Sequence, residues 1–366
     1  MIGWNAFALL AVANLAPAAP PSPEQVMALP PDLRQQIREQ VIDQTNAPNQ
    51  RLQRLLELVF QQHQAHATQP PQAPLHYDTA ATLSVADTWA QRRANCLSFT
   101  LLFVAAARAA GLEARVQEVR QVVTWYEDQG VIYNAGHVNV GLRVDGLPAT
   151  LDLDQNVLYD HRGPQPISDR RALAHFYNNR GSELLAAGQS DSAREHFRMA
   201  LQMAPDFAPA WNNLGVLENR SGNGAAALQA FHNALALDPA LPSALSNASA
   251  LYQRNGDEAH AQQLQARLQR AHRRDPFYHF MQGVAAERRG DYPAAIDDYR
   301  QAIHLYPGAH QFQFGLARAY SLNGDNRRAT RAMQRARTLG DSEHVRAVYQ
   351  AKLNWLHMIA ARQRGR

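Results

Sequence analysis

Cysteine is almost missing from this chain: Cys96 is the only one in 366 residues. A single thiol excludes an internal disulfide and fits an oxidising or a reducing compartment equally well. Lysine is as scarce, since Lys352 stands alone and arginine carries the formal charge of +4. No glycine-rich loop followed by Lys and Ser or Thr is present, which removes the common phosphate-binding loop. Long apolar runs are also lacking. The longest, "AFALLAVANLAPAA" at residues 6–19, is too short to cross a bilayer. It lies where a secretion signal would lie, with an apolar centre and small residues behind it, although no Lys or Arg precedes it. Residues 1–22 are therefore read as a targeting segment, which favours a periplasmic or exported location over the cytoplasm.

Metal chemistry finds no support. "DLDQN" begins like a calcium loop, but Val157 occupies the position that requires glycine and Gly163 the one that requires a bidentate glutamate. His63 and His66 in "HQAH" have no third ligand near them. No metal and no cofactor is expected. The arginines crowd toward the C-terminus, in "NRRATRAMQRAR" and "RQRGR", without interleaved aromatics. They fit the polar faces of helices, and no nucleic-acid partner is expected.

The length suggests two or three domains. Repetition organises the second half: Gly188, Gly222, Gly256, Gly290 and Gly324 stand 34 residues apart, each opening a short polar turn. Tyr177, Gly181, Ala193, Phe197, Ala200 and Pro205 return as Trp211, Gly215, Ala227, Phe231, Ala234 and Pro239. Glycine suits the close crossing of two helices, the aromatic fills the space beside it, and proline ends the second helix. This pattern resembles the tetratricopeptide repeat, with five units over residues 169–342. The third copy is degraded: Gln265, Leu268 and Arg273 stand where the aromatic, the alanine and the proline belong. Its second helix is expected to run longer or to pack irregularly. The amphipathic segment 343–366 is expected to cap the stack. The resemblance implies a concave groove for a protein or peptide, lined on the first helices by Asn178, Asn212, Arg220, Arg254, Phe280, Arg288, Phe314 and Arg318. There amides can hold a peptide backbone and arginines can pair with carboxylates.

In the first half, apolar spacing predicts helices over 31–44 and 48–66. A further helix begins at or just after Asn95, a favourable cap, and ends at Gly111. Cys96 then sits in the first turn, where the helix dipole and unpaired N–H groups favour a thiolate. A nucleophile needs a base, and the base an orienting group. The alternation of "GHVNVGLRV" predicts a strand with Val138, Val140, Leu142 and Val144 on the buried face and His137 on the other, facing a cleft. A turn at "DGLP" leads into "ATLDLDQN", which carries Asp152 and Asp154 on one face. Either aspartate can stand beside His137 on a neighbouring strand.

A cysteine opening a helix, a strand begun by histidine and a following strand with aspartate, in that order, resemble the transglutaminase-like, papain-related cysteine fold. The resemblance implies an α+β domain over residues 23–168, with Cys96 as nucleophile, His137 as base and Asp152 as orienter, Asp154 being the alternate. Where that family often has an aromatic after the histidine and a Trp before the aspartate, this chain has Val138, Asn139 and Ala149. The expected architecture is thus a transglutaminase-like cysteine-hydrolase domain followed by an all-α repeat solenoid. Two functions are compatible with it: acyl transfer on protein or peptide amides, or a non-catalytic protein-binding scaffold. Only the short "RGPQP" separates the halves and Ser168 can cap the next helix, so the solenoid is expected to pack against the first domain.

Overall fold

The computed structural model describes residues 19–60, 74–119, 125–128, 131–134, 137–153, 163–340 and 343–364. Most of the targeting segment expected at 1–22 lies outside them. Among the described residues, no helix is long and apolar enough to cross a membrane. Two compact units emerge. One draws on residues 1–116, 139–153 and 166–230, the other on 117–138, 154–165 and 231–366.

In the first unit, Ser22 opens helix α1 (Pro23–Met27) with a capping box, exchanging hydrogen bonds with Gln25. Helix α2 (Pro31–Ile37) runs directly into a π-helical turn, Arg38–Ile42, so the helix expected over 31–44 changes pitch midway. Helix α3 (Pro48–Phe60) follows, the rest of its expected span lying outside the described residues. Strand β1 (His76–Tyr77), helix α4 (Val85–Gln91) and strand β2 (Arg93–Ala94) come next, β1 pairing parallel with β2. Helix α5 (Cys96–Ala109) is buried at every position from Leu97 to Ala107. Its sequence, CLSFTLLFVAAARA, is apolar all round, and such a helix is stable only when covered on all sides. Helices α1 to α4 all touch it. It stops before Gly111, whose φ of +76° is left-handed as the sequence suggests.

Strands β3 (Glu113–Val119), β4 (Trp125–Asp128), β5 (Val131–Asn134), β6 (His137–Val144), β7 (Leu147–Leu151) and β8 (Gln165–Pro166) follow. β4 and β5 form an antiparallel pair of their own. The main sheet has the order β7-β6-β3-β8. Asp145 and Gly146, at φ 50° and 79°, make the two-residue turn that joins β6 to β7. Left-handed geometry at both positions suits the twist of a tight hairpin. β6 lies inside the sheet and is buried on both faces from His137 to Leu142. The expectation that His137 faces an open cleft is therefore corrected: its side chain is 1 % exposed. β7 at the edge stays largely exposed and ends at Leu151, one residue before Asp152.

The repeats begin at helix α6 (Asp169–Ala186), where Ser168 accepts from the Arg171 N–H as expected of a cap. Helices α7 (Ser190–Met203), α8 (Ala208–Arg220) and α9 (Gly224–Leu237) continue the array. They are followed by α10 (Pro242–Arg254), α11 (Glu258–Arg273), α12 (Pro276–Arg288) and α13 (Tyr292–Leu305). Helices α14 (His310–Leu322), α15 (Asn326–Leu339) and α16 (Glu343–Arg364) complete it. The five turn glycines have φ between +76° and +83°, a conformation costly to any residue with a Cβ. α16 lays Tyr349, Leu353 and Leu356 into the core while Trp355 on its outer side stays exposed.

Close crossing explains the glycines within the helices. A Cβ added at Gly181 would stand 2.7 Å from Cε1 of Phe197, a fully buried ring, and one at Gly283 would stand 2.7 Å from the Tyr299 ring. Gly181→Ala is therefore expected to destabilise the chain by about 1–3 kcal/mol, against the roughly 1 kcal/mol that alanine adds in an open helix. A urea midpoint that is unchanged or raised would contradict this packing. In the third repeat the same two places hold Ser249 and Gln265. The Ser249 hydroxyl donates to the Ala261 carbonyl at 2.9 Å, and Gln265 Oε1 lies 3.3 Å away. A polar pair thus replaces the glycine–aromatic pair. α11 is also longer, at 16 residues against 14 for α7, α13 and α15, as the missing proline suggests.

Candidate functional site

Cys96 is the first residue of α5. Asn95 precedes it with extended backbone, and its side-chain oxygen accepts the Ser98 N–H at 2.9 Å, which fixes the helix start. The Asn95 amide in turn donates to Thr82 Oγ1 at 2.9 Å, and Ser98 Oγ donates to the Ala81 carbonyl at 2.8 Å. Cys96 is only half-buried, whereas Asn95 and every residue from Leu97 to Ala107 are buried. A thiol serving only as packing would sit with its neighbours inside.

His137 begins β6, and by strand alternation Asn139 projects from the same face. Val140 pairs with Leu151, so one step further along the hairpin Asn139 stands opposite Asp152. The Asn139 amide donates to Asp152 Oδ2 at 3.1 Å. Asn139 is completely buried, an unusual place for an amide unless it is held. From the sequence it is only a departure from an expected aromatic; a lone amide between two valines was the available signal. Cys96 and Asp152 lie in the first unit and His137 at the edge of the second. Asp154 lies outside the described residues.

The expected groove residues divide. Asn178 and Asn212 are buried and engaged with Asn213: the Asn213 amide donates to Asn178 Oδ1 at 3.0 Å, and the Asn212 amide donates to Asn213 Oδ1 at 3.1 Å. Arg220, Arg254 and Arg288 are exposed. Arg318 pairs with Glu287 at 2.5 Å and lies over the Phe314 ring. Phe314 is partly buried and stacks on Tyr349 with ring centres 5.3 Å apart. Phe280 is buried rather than open to a groove. It is 4 % exposed and packs on Phe312 of α14 and Tyr299 of α13, with ring centres 4.9 and 5.5 Å away, because this position lies between the hairpin partner and the next repeat.

The transglutaminase-like superfamily pattern matches residues 35–146, and tetratricopeptide repeat patterns match residues 178–242 and 276–309. The chain carries a transglutaminase-like domain followed by tetratricopeptide repeats. The transglutaminase-like match includes Cys96 and His137 and ends before Asp152. No curated protein matches the chain. Among solved structures it is similar to MamA, at 17 % identity and a TM-score of 0.26, covering 46 % of this chain and 91 % of that one. YrrB, described as a TPR protein with an unusual peptide-binding site, is similar at 15 % identity and TM-score 0.26, covering 49 % and 92 %. A thermophilic TPR protein of Thermus thermophilus, TTC0263, is similar at 20 % identity and TM-score 0.28, covering 49 % and 98 %. The transglutaminase-like domain and the repeats together fit a protein-binding role.

Proposed function

We propose that this chain is a cysteine acyl-transfer enzyme, a protease, deamidase or transamidase, acting on protein or peptide amides. Cys96 is its nucleophile, His137 the base and Asp152 the orienting carboxylate, and the repeats recruit a protein substrate or partner. In this reading the Cys96 sulfur attacks the amide carbonyl carbon, its proton passing to His137. The C–N bond then breaks as His137 returns a proton to the departing amine, leaving a thioester. Water or a second amine attacks that thioester and gives a proton to His137; the C–S bond breaks, the acid or new amide leaves, and His137 returns the proton to sulfur. Asp152, with one oxygen bonded to Asn139, is held rigidly enough to keep an imidazole in one tautomer.

One observation carries the reading. The only cysteine stands at the one position of its helix start that is not buried, inside the transglutaminase-like match. The near-complete burial of His137 favours the rival reading, a domain kept for binding. Alkylation by iodoacetamide separates them. Folded protein at neutral pH is expected to react at Cys96 faster than the same chain in denaturant, because an activated thiolate outpaces an ordinary thiol. Slower reaction in the folded chain removes the enzymatic reading and leaves the scaffold.

A further inference from the structure

We propose that Glu183, on the first helix of the repeat array, is a positioning residue for Cys96, which makes that helix part of the thiol site. This rests on the enzymatic reading above and adds a residue that the transglutaminase-like match does not contain.

The connection is a continuous row of hydrogen bonds within the first unit. Glu183 Oε1 accepts the backbone N–H of Thr82 at 3.2 Å, and its other oxygen accepts from Arg180 at 2.8 Å. Thr82 Oγ1 accepts the Asn95 amide, and Asn95 Oδ1 accepts the Ser98 N–H across the turn that holds Cys96. Ser98 Oγ closes the row by donating to the Ala81 carbonyl and accepting from the Leu83 N–H, both at 2.8 Å. Residues 81–83 are thus clamped between the start of α5 and the far end of α6. Thr82, Asn95 and Ser98 are at most 6 % exposed, so no water takes over these bonds cheaply.

The other ends of the two helices are also tied. Arg108 near the end of α5 grips Asp169 at the start of α6 through two bonds of 2.7 and 2.9 Å. This guanidinium holds the Asp169 carboxyl below its ordinary range. α6 therefore lies antiparallel along α5 and is fixed at both ends. Between them the Tyr177 hydroxyl donates to the Pro21 carbonyl at 2.6 Å, and burial pushes its pKa to about 12. Asn178 and Ser182, which bond Asn213 of the next repeat, stand on the same helix as Glu183, five residues and one residue before it.

The test is the alkylation rate of Cys96 in the full chain, measured across the pH range in which a thiol ionises, for wild type, Glu183→Ala, Glu183→Gln and Thr82→Val. Glu183→Ala is expected to slow alkylation at neutral pH by roughly five- to tenfold, the scale of one ordinary hydrogen bond, and to displace the pH profile. Glu183→Gln keeps an acceptor for the Thr82 N–H and is expected to restore both. Thr82→Val cuts the row at its next member. It is expected to reproduce the Glu183→Ala effect and to add nothing to it in the double variant, because the bonds act in series. If Glu183→Ala melts like the wild type and keeps its profile, the proposal is overturned. If Glu183→Ala fails to fold, an unchanged profile in Thr82→Val overturns it equally. A wild-type Cys96 no faster than a free thiol removes the enzymatic reading alone, because the ratio between variants still reports the positioning.

Discussion

Cys96→Ala is expected to abolish amide hydrolysis and amine transfer, by a factor on the order of 10⁴–10⁶ in rate, as loss of a nucleophile does where a catalytic group acts as a unit. The variant should fold normally. Cys96 is half-buried at a helix start, so losing its sulfur opens no closed cavity, and the cap made by Asn95 and Ser98 is untouched. His137→Gln, chosen because the site is fully packed, is expected to be nearly as damaging, since a thiol without a base stays mostly protonated at neutral pH. Asp152→Asn is expected to cost less than either but more than Asp154→Asn, because Asn139 holds Asp152 in a fixed place. Product formation from a peptide amide, followed by mass spectrometry, gives the ranking. Activity of Cys96→Ala equal to wild type would remove the enzymatic reading.

Ending the chain at residue 168 is expected to leave the first half insoluble. α6 brings Ala172, Leu173, Ala174, Phe176 and Tyr177 into the first unit, all at most 6 % exposed. Where these side chains face α5 and α1, each Å² of apolar area uncovered costs about 25 cal/mol, to be set against the roughly 5–15 kcal/mol that holds an ordinary domain together. The Arg108–Asp169 pair, the Tyr177–Pro21 bond and the Glu183–Thr82 bond would go with them. Extending the chain through α9 is expected to return soluble, folded protein. Limited proteolysis of the whole chain supplies an independent check. Early cleavage between residues 161 and 172 into two stable fragments would contradict the shared core.

How far the sequence discloses this molecule depends on the range of the signal. The repeats are legible because each turn needs a left-handed glycine and most crossings a small residue beside an aromatic, so the constraint recurs every 34 residues. α5 is legible because Asn95 at its start and Gly111 past its end act locally. The two-residue strands β1, β2 and β8 are too short to show a period. β6 misleads because alternation reports one buried face only when the other meets solvent, and here both are covered. Phe280 misleads for a related reason, since a helix between two neighbours buries more than one stripe. Glu183 and Thr82 lie 101 residues apart, and nothing local marks either as the other's partner.

The polar pair in the third repeat has an effect on cooperativity. In a linear array each unit is held by its own packing and by its neighbours, so resistance to opening varies along the chain. In the first and fourth repeats an aromatic wedged against glycine commits two helices together, and its apolar contact tightens as the temperature rises from the cold. Ser249 and Gln265 replace that with hydrogen bonds that do not share this temperature dependence, and α11 keeps only Ala261, Leu264 and Leu268 buried. The hairpin of α10 and α11 is accordingly expected to open first, its amides exchanging hydrogen ahead of those in the flanking repeats.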